Sequence, residues 1–310
     1  MNWGWIMYLH DKNRELFKDL LYITSEKMGI RKEIVEKDYY VTMILRLLAE
    51  SNDKIVFKGG TSLSTAYEII DRFSEDIDIT FTEHIGENRR KKLKYDIIKP
   101  IGDKLNLEIR NWDRTRSRKN YNHYDYYYKT VADDSLGGLD TYVKLETALM
   151  TYSFPVEEKY ISNYIYKAFA DSEPEIMKEY YLYPFPMKVQ SLKRTLSDKI
   201  FAICDYYLQN KKRRNSRHLY DIYKLAPLVE INNEFKYLMD EVRDQRAKLS
   251  EKITPSAREN IDIKSIINKI CLEDFYKDDY NDTTRMLISD NVSYEVIKKF
   301  LKDYIEKVLL

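Results

Sequence analysis

Two aspartates separated by one residue, Asp76 and Asp78, stand in a segment that alternates strictly from Glu75 to Phe81, with Asp76, Asp78 and Thr80 against Ile77, Ile79 and Phe81. That is the two-residue period of a strand, so both carboxylates point into one volume. Neighbouring like charges repel, and a cation relieves them. Two divalent ions about 3.5–4 Å apart would activate an attacking oxygen and stabilise a leaving pyrophosphate. Taken alone, Asp-Ile-Asp is equally a solvated strand face.

A second element lies upstream. Lys54-Ile55-Val56-Phe57 reads as a short strand, closed by Gly59-Gly60 and followed by helical character from Thr61 to Asp71. Glycines at that turn let the backbone approach a phosphate, while the helix start near Thr61 and Ser62 offers free N–H groups and a positive dipole end, with the Ser62 hydroxyl as a further donor. A Gly-Gly turn before a helix is by itself only a turn. The conjunction of strand, Gly-Gly-Thr-Ser helix start and Asp-x-Asp strand makes a connected unit with one mouth. Such a site usually takes a third carboxylate, and Glu146 in Tyr142-Val143-Lys144-Leu145-Glu146 is the candidate; a surface strand glutamate is the plain alternative.

The elements that position these groups follow from periodicity. Lys12 to Ala49 reads as two helices stopped at Gly29. A basic amphipathic helix is expected over Asn88–Leu105, then strands at Leu107–Trp112, His123–Val131 and Thr141–Ala148, a mixed or antiparallel sheet. The fold class expected is α+β, a domain with a mixed sheet followed by a helical C-terminal domain. Pro174, Pro184 and Pro186 mark the passage between lobes, dividing 1–185 from 186–310. Beyond it, helices are expected at Ser191–Asp205, Ser216–Leu228, Glu234–Leu249, Ile261–Cys271 and Ser293–Val308.

Composition sets the outer bounds. The 310 residues are 44% hydrophobic and 33% charged, enough to bury a sizeable core. Lys and Arg (52) nearly cancel Asp and Glu (51), so a nucleic-acid partner must be held by a local basic patch. Cys204 and Cys271 form no metal-type pair, which points to a reducing compartment. No run approaches the ~18 apolar residues that span a bilayer, and Met1–His10 is too brief for a signal-peptide apolar region. A cytoplasmic protein without a membrane partner is expected. The 28 tyrosines, with runs such as Tyr124 and Tyr126–Tyr128, read as packing residues ahead of base-stacking ones.

Five ordered segments carry a family resemblance: Glu36-Lys37-Asp38-Tyr39-Tyr40-Val41, Phe57-Lys58-Gly59-Gly60-Thr61-Ser62-Leu63-Ser64, Arg72-Phe73-Ser74-Glu75-Asp76-Ile77-Asp78, Arg194-Thr195-Leu196-Ser197-Asp198-Lys199, and Arg217-His218-Leu219-Tyr220-Asp221-Ile222-Tyr223. Together they resemble the AbiEii/AbiGii nucleotidyltransferase toxins of abortive-infection and type IV toxin–antitoxin systems. Asp198 departs from the pattern, standing where glutamate is expected. The resemblance implies a polymerase-beta-like nucleotidyltransferase domain, a phage-defence toxin with an antitoxin encoded nearby, an NTP substrate, Mg²⁺ (or Mn²⁺), and nucleotide addition to the 3′ end of tRNA. Carried over, Asp76 and Asp78 bind metal, Lys199 contacts phosphate, and Asp221 is needed for activity; Glu146 is the candidate third metal ligand from its strand position. Asp221 would position Lys199 or act as a base. Arg72 and Arg217 would contact phosphate or merely pair with Asp71 and Asp221, Ser74 would touch substrate, be modified or serve as a structural hydroxyl, and His218 reads first as a packed histidine. The basic stretch Lys211–Arg217 would guide tRNA or form a solvated loop. Two other readings keep their place: nucleotidylation of a protein or small molecule, and a nucleotide-binding regulator without turnover.

Overall fold

The computed structural model describes residues 8–72, 74–132 and 141–308; Met1–Met7, most of the N-terminal stretch weighed as a signal peptide, lies outside the described residues. The chain forms two compact units, Met1–Tyr67 with Glu75–Val189, and Glu68–Ser74 with Gln190–Leu310.

The first unit is built on a mixed seven-stranded sheet whose strands are β1 (Ile55–Lys58), β2 (Ile77–Phe81), β3 (Glu108–Ile109), β4 (Tyr121–Tyr127), β5 (Tyr142–Ala148), β6 (Val156–Ile161) and β7 (Phe185–Gln190). They run in the order β3-β4-β5-β2-β1-β7-β6. β2 pairs antiparallel with β1 and parallel with β5, and β4 pairs antiparallel with β5. The two expected N-terminal helices are Arg14–Met28 and Lys32–Ser51, preceded by a single turn. Gly29 ends the first in the left-handed conformation at φ 64°, which a glycine adopts without steric cost. The second helix packs against β5 and buries Val35, Tyr39, Met43, Ile44 and Leu48.

The basic helix runs from Glu87 to Lys104 but opens into a π-helical turn over Leu93–Ile98. Pro100 follows directly, and a proline has no N–H to complete the regular ladder. The stretch marked by Pro174, Pro184 and Pro186, read as the passage between lobes, carries the helix Pro174–Glu179 and β7, and the first unit runs on to Val189. Pro184 and Pro186 concealed β7, since proline argues against an inner strand. The strand tolerates Pro186 because its bridge to β1 falls at Val189, opposite Phe57, where an amide is present. The tyrosine run packs as expected: Tyr124, Tyr126 and Tyr128 are buried, the Tyr126 hydroxyl donates to the Ile98 carbonyl at 2.7 Å, and Tyr128 stacks on Tyr40.

In the second unit the described residues from Ser191 onward are helical, with helices at Leu192–Leu208, Arg217–Leu225, Asn233–Ala247, Ile263–Leu272, Lys277–Asp282 and Tyr294–Val308. Ser191, Asn232 and Asp262 cap three of them, each accepting from an amide of the first turn. Cys204 and Cys271 are free thiols in this helical core.

Candidate active site

Strand register assembles the first half of the site. Lys58 of β1 lies opposite Asp78 of β2, Asp78 opposite Glu146 of β5, and Glu146 opposite His123 of β4. Residues directly opposite share a face, so four ionisable side chains form one row across four strands. Asp76 precedes the first residue of β2, and Lys144 lies 3.6 Å from its Oδ1. The Tyr121 phenol, 44% exposed, stands beside this row. Burial, then the Glu146 carboxylate, and behind it Asp78 and Asp76, push its ionisation upward. Three carboxylates thus act on a single hydroxyl. Among the described residues no three His, Cys, Asp or Glu side chains yet converge as a metal cage. Asp76 is instead turned to Lys144.

The glycine turn works differently from the expectation. The helix begins at Gly59, runs only to Thr65, and is followed by Glu68 at φ 54°, outside the right-handed helical region. A Cβ on Gly59 would fall 2.0 Å from Asp78 Oδ2, so its missing side chain is the space that Asp78 occupies. Gly59 also takes φ 78°, which favours glycine independently. Thr61 and Ser62 are turned inward: the Thr61 hydroxyl donates to the Asp76 carbonyl at 2.5 Å, and the Ser62 hydroxyl donates to the Gly59 carbonyl at 2.9 Å. Thr61 fixes the backbone that carries Asp76. Ser62 ties down the turn.

The second unit holds a cluster of opposite sign. Asp221 is fully buried; Arg72 donates to it from both Nε (2.7 Å) and Nη2 (2.8 Å), and Lys199 Nζ donates to the same carboxylate at 2.6 Å. Burial alone would raise the Asp221 carboxyl, but Arg72 and Lys199 overrule it and hold it far below the usual carboxylate range. One anion between two cations leaves the cluster with excess positive charge. Lys199 feels this: burial first, and Arg72 and Arg217 besides, lower it against the pull of Asp221. His218, lowered well below its ordinary value by burial and by Lys199 and Arg217, is a neutral ring stacked on Tyr206. Arg72 is held in this unit by a backbone bridge to Ile288, with the Asp71 carbonyl accepting from Ser289. Ser74 ends the same Glu68–Ser74 segment, half-buried. Asp198 accepts from Arg194 and Gln190. The side chains of Lys211–Arg214 are exposed, and their loop is tied down where Asp279 accepts from the Arg214 and Ser216 amides.

Residues 44–305 match the family described as nucleotidyl transferase AbiEii toxin, type IV TA system. The chain belongs to that AbiEii family. It is a nucleotidyltransferase of the toxin–antitoxin class, and membership implies an NTP substrate, a divalent metal and an antitoxin partner in general terms. A solved structure with the same fold is MenT4, a nucleotidyltransferase toxin from Mycobacterium tuberculosis H37Rv, at TM-score 0.59 and 14% identity, covering 93% of this chain and 89% of that one. No curated protein matches. Among the described residues no helix is long and apolar enough to cross a membrane. Within the AbiEii frame, sequence reasoning missed Lys58, Tyr121, His123 and Lys144. Lys58 and Lys144 stood inside segments already singled out, yet only the folded chain shows that Lys58 lies opposite Asp78 and that Lys144 reaches Asp76.

Proposed function

We propose that this AbiEii-family enzyme transfers a nucleoside monophosphate from an NTP to the 3′ end of a tRNA, arresting growth in a cytoplasmic, phage-defence setting. The observation that carries the chemistry is the row through Asp78 and Glu146, with Asp76 alongside. These are hard oxygen donors of the kind that Mg²⁺ or Mn²⁺ prefers, and their crowding on one face is costly without a cation. Asp76, Asp78 and Glu146 would hold the metal, with Asp76 exchanging Lys144 for it. When bound, the ion supplies charge neutralisation at the α-phosphate and activation of the incoming hydroxyl.

The chain's own residues divide the rest. The acceptor oxygen bonds to the α-phosphorus as the bond to pyrophosphate breaks, and the hydroxyl proton leaves to solvent. Gly59 and Gly60 supply the turn at Asp78, which Thr61 and Ser62 hold rigid. Lys199 and Arg72 are assigned to the triphosphate, consistent with the surplus positive charge of their cluster, and Ser74 to the edge of the nucleotide site. Asp221 positions Lys199 and does not act as base, because two cations already hold its charge. The basic Lys211–Arg217 loop would meet the acceptor backbone.

The test is incubation with each α-³²P-labelled NTP, Mg²⁺, and total tRNA or total cell protein, beside the Asp76→Ala/Asp78→Ala variant. Label on tRNA that vanishes in the variant is expected. Label on protein would move the acceptor, and binding of NTP with no labelled acceptor would end the transferase proposal.

A further inference from the structure

The strongest concentration of unpaired charge lies elsewhere in the first unit. From Glu87 to Lys94, five cations face one acid, and from Arg110 to Lys119 again five face one, in a chain whose whole net charge is +1. These two segments are joined in space. Arg90 donates to Asn120, buried Lys94 donates to the Thr115 carbonyl at 3.0 Å and lies 4.3 Å from the centre of the Trp112 ring, and Tyr95 meets Trp112 edge-on. Lys91, Lys92, Arg114, Arg116, Arg118 and Lys119 are exposed, and none has a carboxylate partner among the described residues.

The segment that carries them is a platform held from below. Buried Asn122 accepts from the Arg116 amide and donates to the Arg116 carbonyl, both at 3.0 Å. Buried Asn111 donates to the His123 carbonyl and accepts from the Asp125 amide. Buried Thr115 donates to the Trp112 carbonyl. Three interior polar residues are thus spent on fixing a backbone whose exposed side chains contribute nothing to the core. Such preorganisation lowers the entropy lost when a ligand is bound. Asn120 and Tyr121 continue the platform directly into the carboxylate row, where Asn120 also accepts from the Leu149 amide at 2.7 Å.

We propose that this platform, the Glu87–Lys94 helix face with the Arg110–Lys119 segment, is the docking surface for the phosphodiester backbone of an RNA, delivering its end toward Asp78 and Glu146. This rests on the nucleic-acid acceptor reading above. Arginine forks match phosphate geometry, and the exposed rings of Tyr95 and Tyr121 offer faces for bases. An anionic lipid surface fits less well, since these two tyrosines are the large exposed apolar side chains of the region.

The experiment measures binding of fluorescently labelled total tRNA by anisotropy across a salt series, for the full chain and for the combined Lys91→Ala, Lys92→Ala, Arg118→Ala, Lys119→Ala variant. Removing four phosphate contacts should weaken binding at least about tenfold and flatten the slope of log affinity against log salt by about 3. NTP affinity and the unfolding midpoint should stay as in the parent, because all four side chains are exposed. Equal affinity and slope in parent and variant would overturn the platform while leaving the acceptor reading intact, and the Lys211–Arg214 loop would then be the surface to neutralise. A parent that binds no RNA yet labels protein would overturn both. Binding to phosphatidylglycerol vesicles without RNA binding would overturn the proposal in favour of a membrane.

Discussion

The two ionic clusters are built on opposite plans. In the first unit, Asp76, Asp78 and Glu146 are half-buried on a strand face, with one ammonium, Lys144, at ion-pair distance from Asp76. In the second, Asp221 is sealed between Arg72 and Lys199 with no exposed surface. The first gathers three half-buried carboxylates, the second commits one buried carboxylate to two cations. Removal of Asp221 strands two buried cations, a cost that a half-buried carboxylate on a strand face does not carry.

The largest effect separates function from folding. Asp78→Asn should reduce nucleotidyl transfer by about 10³-fold or more while leaving the urea unfolding midpoint level or slightly raised, as a like-charge neighbour disappears. A variant that transfers normally would break the assignment of the acidic cluster. Asp221→Asn should lose stability as well as transfer, destabilising by about 3–5 kcal/mol in urea unfolding because Arg72 and Lys199 lose their buried partner. A change below about 1 kcal/mol would place that pair among ordinary surface salt bridges.

Gly59→Ala sharpens the contrast from the other side. Its methyl group must displace the Asp78 carboxylate and sit at positive φ, so a loss of about 1–3 kcal/mol is expected. Transfer should fall with it, toward the level of Asp78→Asn. The smallest effect is on acid stability. Because Asp221 is held below its unfolded value, its contribution is fully present above about pH 4 and is lost as pH falls toward the folded value, with a slope of at most about 1.4 kcal/mol per pH unit. Asp221→Asn should have a correspondingly flatter acid limb in pH-dependent unfolding.

Much of this was legible in the residues. The strict alternation around Asp76 and Asp78 marked a strand face, Gly29 marked a helix end, and Ser191 marked a helix start, because each signal is local to a few residues. Glu146 was legible as a candidate third carboxylate on a neighbouring strand, but its register opposite Asp78 depends on a parallel pairing between segments far apart in the chain. β7 was hidden by its own prolines, and the reason for Gly59 was hidden because the atom that excludes a side chain there belongs to Asp78 on another strand.

By itself, then, the sequence determined the kinds of element, the family, and which acidic and basic residues could do chemistry, since periodicity, capping and motif order are properties of neighbouring residues. Only the tertiary structure decided that Lys58, Asp78, Glu146 and His123 form one row, and that Arg72 reaches across 149 positions to clamp Asp221. Strand register and buried ion pairing are settled by the packing of segments remote in sequence, and no local pattern encodes which remote partner prevails.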